Sequence, residues 1–371
     1  MNIFVNNFIE LEVTKVESLT NDSKAIYFAG NSVINTAKAG QFITFIINLN
    51  GKEYRRCYSI CTASQTTTDI ENNEEFAVAI KRVPGGIVSN YLNTFVKPRS
   101  VLKVLAPAGN FIYQPKKQSN NLLLIAGGSG ITPILSILKT ALTQATNTQI
   151  SMLYVNKSKQ DIMFAQQLDD LAREYEQRFS LVHYLDSEHR QTINVKKSGL
   201  LGLLGGKKQE LGPGFINNQS MLAMLSQFPI DTNTLAYVCG PLGLMDLAQS
   251  TLEQLDLAAN NIKRENFIAN KVIHPKPDFI PTPCFATVDV NNKRHQFDIP
   301  VGKSVLQAAV DAGVDMPFSC REGSCTSCYG TCKSGEIGML TDEVLSDEEL
   351  AEGGILPCVA FPKSKKLHVV V

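Results

Sequence analysis

Residues Leu122–Leu142 read LLLIAGGSGITPILSILKTAL: an apolar run, the turn Gly127-Gly128-Ser129-Gly130, then an amphipathic stretch that opens near Pro133. Gln118–Leu138 is the longest uncharged segment of the chain, but its glycines and proline would break a membrane helix. It reads as a strand, a tight turn and a helix start. ISMLYV (150–155), a polar helical stretch over Ile162–Gln177, FSLVHYL (179–185) and LAYVCG (235–240) follow it. Strands alternating with helices predict a doubly wound α/β domain on a parallel sheet.

Upstream, from Ile9 to about Tyr113, short apolar or alternating runs such as Gln41–Ile46 and Phe76–Ile80 are cut by Gly, Asn and Pro turns. That texture predicts an antiparallel β-barrel or sandwich. Downstream, the glycine- and lysine-rich segment 189–220 is expected to be a mobile excursion, and the stretch ending in Pro283 carries four prolines in fourteen residues, as a semi-rigid linker would. Beyond it come a hairpin over Asn291-Asn292, a helix ending at Gly313 and a terminal strand LHVVV. The expected division is 1–115, 116–268, a linker over 269–283, and 284–371.

The 371 residues suit two or three domains. Thirty-five basic and 35 acidic side chains leave no net charge, which disfavours a nucleic-acid partner, and 44% hydrophobic content disfavours disorder. The N-terminal stretch shows no signal-peptide pattern and no membrane span is read, so a cytoplasmic location is expected. Charge is uneven: residues 1–283 carry a net +4 and 284–371 a net −4.

Five of the nine cysteines fall within the last 52 residues. Cys320-x4-Cys325-x2-Cys328, separated from Cys358 by 29 residues, is the plant-type spacing for a [2Fe–2S] cluster. Two irons bridged by two sulfides leave four terminal positions, hence four thiolates. Structural zinc more often uses paired CxxC knuckles, and only one such pair occurs here. Small residues in the loop, among them Gly323, Ser324, Thr326 and Ser327, let backbone N–H groups approach the sulfurs. Cys332 is read as a buried apolar side chain on a strand.

Arg56-Cys57-Tyr58-Ser59 supplies a cation for a pyrophosphate, an aromatic to pack on a ring system and a hydroxyl, in strand-like alternation. Pro84-Gly85-Gly86 then opens a short helix whose free N–H groups suit a phosphate. Together the two point to a flavin dinucleotide. The turn at Gly127–Gly130 offers backbone to a second pyrophosphate, and Cys239-Gly240-Pro241 ends a strand where such sheets bind ligands. After ISMLYV the chain gives Asn156, Lys157, Ser158 and Lys159; two ammonium groups suit a 2′-phosphate, which leans the donor toward NADPH over NADH.

RxYS, GGxGITP and CGPxxxM in that order resemble the ferredoxin–NADP reductase superfamily over about residues 9–268. CREGSCTSC, KSGEI, LTDEVLSDEEL and LPCVAFP make residues 284–371 similar to plant-type ferredoxins. The combination resembles the oxygenase-reductase group typified by the reductase of phenylacetyl-CoA epoxidase. That resemblance implies a β-grasp domain with Cys320, Cys325, Cys328 and Cys358 as cluster ligands. It implies FAD held by Arg56, Tyr58, Ser59, Gly86, Val88 and Ser89, and a nicotinamide dinucleotide held by Gly128, Gly130, Thr132 and Pro133. Cys239, Gly240 and Pro241 would border the nicotinamide, Phe267 of Glu265-Asn266-Phe267 the flavin, with Ser59, Cys239 and Phe267 at the reacting atoms. Asp342, Glu343, Asp347, Glu348 and Glu349 offer an acidic docking face.

The expectation is an oxidoreductase passing electrons from NAD(P)H through FAD and [2Fe–2S] to a protein oxygenase or hydroxylase, phenylacetyl-CoA epoxidase among them. A desaturase, a steroid hydroxylase or a hybrid-cluster protein would be served by the same chemistry. A noncatalytic iron–sulfur redox sensor is the alternative from another class.

Overall fold

The computed structural model describes residues 8–64, 75–115, 121–186, 191–192, 210–211, 216–267, 279–290, 292–323, 325–342, 344–345 and 347–371. Most of the 189–220 excursion, linker residues 269–278, Asn291, Ser324 and Glu343 lie outside them.

The first domain is a six-stranded antiparallel sheet of β1 (Ile9–Thr20), β2 (Ser23–Phe28), β3 (Phe42–Leu49), β4 (Lys52–Ser59), β5 (Phe76–Lys81) and β6 (Val101–Ala108). Their order is β4-β3-β6-β1-β2-β5, and a bridge between Ile60 and Val78 joins the two ends, closing a barrel. Strand period two explains its inside: Ile26 and Phe28 on β2 and Phe76, Val78 and Ile80 on β5 fill the barrel core. The alternate residues Ala25, Ala77 and Ala79 are buried too, in a different core. Helix α1 (Ile87–Phe95) follows the turn at Gly85, whose φ of 71° is one a side chain rarely adopts.

The second domain stacks β7 (Asn121–Gly127), β8 (Gln149–Asn156), β9 (Phe179–Leu185), β12 (Leu235–Cys239) and β13 (Ile262–Glu265) in the order β13-β12-β7-β8-β9, every pair parallel. Between β9 and β12, β10 (Gln191–Thr192) and β11 (Glu210–Leu211) form a short antiparallel ladder inside the expected excursion. Helices α2 (Ile131–Gln144), α3 (Ala165–Glu174), α4 (Asn218–Leu225) and α5 (Leu242–Gln254) cover the sheet. Asn217 caps α4 by accepting from the Ser220 N–H, with the Ser220 hydroxyl returning to the Asn217 N–H. Ala25, Ala77 and Ala79 of the barrel share one apolar core with Ile131, Ile134 and Leu138 of α2.

The third domain has the sheet order β15-β14-β20-β16-β18, from β14 (Cys284–Val290), β15 (Lys293–Ile299), β16 (Gly330–Ser334), β18 (Gly354–Ile355) and β20 (Lys366–Val370). β14 and β20 pair parallel at its centre; β17 (Ile337–Met339) and β19 (Ala360–Pro362) pair separately. Helix α6 (Val305–Asp311) is capped by Ser304, whose hydroxyl accepts from the Gln307 N–H, and short α7 (Asp347–Ala351) carries acidic residues. Its core draws only on residues of this domain. No helix among the described residues is long and apolar enough to cross a membrane.

Candidate active site

A cleft of about 1530 Å3 lies where the three domains meet. Its wall includes Arg56, Tyr58, Ser59, Gly86, Val88 and Ser89 of the barrel, Ser129 and Thr132 of the second domain, and Cys320 and Cys325 of the third. Phe267, 43% exposed, stands at its edge with Glu265 and Asn266.

On β4 the sequence expectation needs one correction. Arg56 and Tyr58 share a face, as period two requires, but Ser59 falls on the other face with Cys57. Tyr58 packs on Phe45, ring centroids 5.6 Å apart. Ser59 is buried and its Oγ has no partner, although it lines the cleft. A buried hydroxyl without a partner is what a bound polar ligand would satisfy, so the site fits a flavin. At the start of α1, Gly86 leaves no room for a side chain: a Cβ would lie 2.6 Å from Ser89 Oγ and 3.0 Å from the Val83 oxygen. Ser89 Oγ accepts from the Val83 N–H at 3.2 Å and fixes that turn.

Parallel registers align three strand ends in the second domain. Ala126 pairs with Cys239, and Cys239 with Glu265. Gly130 is glycine for a packing reason: a Cβ there would collide with the Cys239 carbonyl and the Gly240 nitrogen. Gly128 differs, having φ 52° and open space beyond, with its carbonyl accepting from Tyr154 Oη at 3.0 Å. Gly128 borders open space and Gly130 locks the turn to the Cys239-Gly240 segment; neither is in the cleft wall, which Ser129 and Thr132 of this turn do line. Pro133 and Thr132 are buried in the first turn of α2. Lys157 and Lys159 are exposed on the loop after β8 and stand outside the cleft wall, and Asn156 is buried. That loop also carries Asp161, which accepts from Ser158 Oγ at 2.7 Å and lies 3.7 Å from Lys81 Nζ of the barrel.

Glu265 had no role in the sequence reading beyond its place before Phe267. Its Oε2 is buried without a partner. Burial, then the Cys57 thiol, raise its carboxyl well above the usual carboxylate range. Burial, then Glu265, raise the Cys239 thiol in turn. A buried carboxyl with a raised pKa in the cleft wall, paired across the sheet with a buried thiol, is the kind of perturbed group that functional sites hold.

The thiol loop turns at Arg321 (φ 60°) and Gly323 (φ 74°), where a Cβ would press on Thr341 and Val359. The turn brings Cys325 Sγ to 3.1 Å from Cys320 Sγ. Hydrogen bonds with Cys320 and then Cys328 raise the Cys358 thiol, so all four expected ligands converge. Among the described residues no three His, Cys, Asp or Glu side chains form a site for a single metal ion. Four neighbouring thiols, Cys328 and Cys358 buried in the core and Cys320 and Cys325 at the cleft, fit a binuclear cluster. Cys332 is half-buried on β16, its Sγ against the Ser334 carbonyl.

The junction between barrel and thiol loop is polar. Arg55 stacks 4.1 Å from the Phe318 ring, with Arg321 at 4.2 Å. Cys57 Sγ lies 3.2 Å from Ser319 Oγ and 3.4 Å from Ser327 Oγ. The expected acidic docking face is partly used inside the molecule. Asn110 donates to Glu349 Oε1 at 2.5 Å, and Lys263 Nζ stands 3.6 Å from Glu348 Oε2.

Three family models match the chain: an oxidoreductase FAD-binding domain over residues 10–113, an oxidoreductase NAD-binding domain over 124–201 and a 2Fe-2S iron-sulfur cluster binding domain over 288–363. The sequence is 32% identical to a subunit of the 1,2-phenylacetyl-CoA epoxidase of Escherichia coli (strain K12), over 98% of both chains. It is 29% identical to the ferredoxin reductase component of 3-ketosteroid-9-alpha-monooxygenase of Mycobacterium tuberculosis, over 98% of this chain and 96% of that one. Phthalate dioxygenase reductase superposes with a TM-score of 0.57 at 22% identity over 98% of both chains. An intact type IV self-sufficient cytochrome P450 monooxygenase gives 0.65 at 21% identity, over 98% of this chain and 41% of its own.

Proposed function

We propose, from the premise that the chain belongs to the ferredoxin–NADP reductase superfamily in its form with a C-terminal [2Fe–2S] domain, the reductase components of oxygenase systems, that it feeds electrons to a partner oxygenase and takes them preferentially from NADPH. One observation carries this reading: barrel, second-domain and thiol-loop residues face a single cleft. Flavin, when bound, takes a two-electron hydride and releases electrons one at a time to the cluster.

The chain's own groups divide the work. Arg56 supplies the cation for the flavin pyrophosphate, and Tyr58 packs beside the ring. Gly86, Val88 and Ser89 offer the start of α1, and Ser59 presents a hydroxyl to the reacting edge. Gly128, with Thr132 and Pro133, cradles the dinucleotide, while Gly130 holds that turn against Cys239, Gly240 and Pro241. Phe267 covers the flavin edge, and Glu265 keeps a proton beside Cys239. Cys320, Cys325, Cys328 and Cys358 hold the cluster. Lys157 and Lys159 favour the 2′-phosphate of NADPH, and the free thiols suit a cytoplasmic location.

A relative that belongs to phenylacetyl-CoA epoxidase favours an epoxidase or monooxygenase as acceptor. Anaerobic titration of the purified holoprotein with NADPH and NADH, following flavin and cluster absorption, tests the whole reading. Both chromophores should bleach, sooner with NADPH. Bleaching of flavin alone refutes the electron path, and faster bleaching with NADH refutes the donor preference.

A further inference from the structure

With the third domain docked, the four expected ligand thiols face inward. Cys320 and Cys325 line the cleft shared with the barrel, and Cys328 and Cys358 are buried in the domain's own core. The residues that flank them are engaged at the junction. Phe318, Ser319 and Ser327 are 9%, 6% and 7% exposed. Arg55 of the barrel stacks on the Phe318 ring and reaches its carbonyl at 3.5 Å, and the Cys57 thiol donates to Ser319 Oγ at 3.2 Å. Beside the loop, Glu348 meets Lys263 and Glu349 meets Asn110. The face that gathers the thiol loop and its acidic rim is therefore covered, yet the contacts named are polar and the domain keeps its core to itself. Contacts of this kind are individually weak and let a domain come away without unfolding.

We propose that the third domain uses this one face twice: docked on the barrel to receive an electron, and released from it to dock a protein acceptor and pass the electron on. The inference rests on the proposed reading that electrons leave the chain to a partner protein. That partner has to come close to the ligand sulfurs, and in the docked arrangement the barrel already stands there. The barrel and second domain show what such a partner needs: a guanidinium to stack on Phe318 as Arg55 does, and cations or amides to meet Glu348 and Glu349. Net charge agrees, at −4 over residues 284–371 against +4 over 1–283. A cationic surface is what attracts this domain, whether it belongs to the chain or to the partner. In the transfer one electron moves from the reduced cluster to the acceptor's redox centre, and no bond or proton is exchanged.

The test uses the holoprotein with Ser319→Cys, whose new thiol stands beside native Cys57. Diamide, by taking the two thiol hydrogens, closes a disulfide that locks the junction, and peptide mass mapping reads the cross-link. In the locked protein NADH or NADPH should bleach flavin and cluster as in the open one. Electron delivery to cytochrome c, a lysine-rich one-electron acceptor, should be lost on locking and return after dithiothreitol and desalting. A locked protein that reduces cytochrome c as fast as the open one overturns the inference alone, as does slowed bleaching of the cluster on locking. An open protein whose reduced cluster gives nothing to cytochrome c overturns the reading beneath it as well. A second measurement needs no variant: with excess ferric cytochrome c, deuterium exchange of the oxidised wild-type holoprotein should rise over residues 53–58 of β4 while residues 318–328 stay protected. Unchanged exchange over residues 53–58 also overturns the inference.

Discussion

Toward the second domain the barrel presents Ala25, Ala77, Ala79, Phe111 and Tyr113, buried in one core with α2, whereas toward the third it presents Arg55, Cys57 and Asn110, which make stacking and hydrogen-bond contacts. The first junction is sealed further: Tyr237 Oη donates to the Ile112 carbonyl at 2.9 Å, and Lys139 Nζ to the Cys61 carbonyl at 3.2 Å. A fused core suits hydride transfer, which needs reacting atoms held in a near-attack geometry. A polar junction between separately cored domains permits relative motion, and a single electron passing across it imposes no comparable alignment. The two junctions match the two kinds of transfer.

The largest expected effect comes from attacking the fused side. Gly130→Ala drives a Cβ into backbone atoms of Cys239 and Gly240, which have no flexible side chain to yield. A cost of about 3 kcal/mol and a fall of about 10 °C in the unfolding midpoint are expected. Calorimetry should show barrel and second domain shifting together; separate transitions for the two would break the comparison.

Next is Glu265. Its raised pKa means the folded protein binds a proton more tightly than the unfolded chain. Stability is therefore full below the ordinary carboxylate pKa and declines as pH rises toward the folded value, by up to about 1.4 kcal/mol per pH unit. Glu265→Gln lacks that decline. Denaturant midpoints of the flavin-free protein from pH 5 to 8 should move in favour of the variant as pH rises, and parallel profiles would refute the buried-acid assignment.

On the polar side effects shrink. Arg55→Ala removes the Phe318 stacking, worth about 1 kcal/mol. Faster amide exchange over residues 318–328, with an unchanged midpoint for the fused pair, is the expected signature. Glu348→Gln removes the partner of Lys263 at a cost within about 1 kcal/mol. The exchange rate of the wild-type junction should rise with salt and that of the variant should not; equal salt responses would leave the pair without a role in docking.

Much of this architecture is legible in the sequence because period and punctuation carry it. LLLIAGGSGITP announces a strand, a turn and a helix, and the spacing of Cys320, Cys325 and Cys328 announces a cluster. What escaped depends on neighbours far away in sequence. Nothing in the run Phe76–Ile80 says that Ala77 and Ala79 join a core shared with α2 rather than the barrel's own. Glu348 and Glu349 read as a docking face for a partner, yet they meet Lys263 of the second domain and Asn110 of the barrel. Cys57 sits where its motif is silent, and only the docked third domain shows its partners.

The pairing of β14 with β20 also bears on how the protein assembles. These strands lie side by side from Phe285 with Lys366 to Asp289 with Val370, and all four expected cluster ligands fall in the roughly 80 residues between them. Joining the ends of so long a segment costs roughly 4 kcal/mol of chain entropy before its contacts repay it. Such distant pairings form slowly, so this sheet is expected to close after the local hairpin of β14 and β15. Until it closes, Cys358 has no fixed place beside the other thiols. A cluster held by those thiols would favour the closed sheet, and starving cells of iron should then leave this domain the first to be degraded.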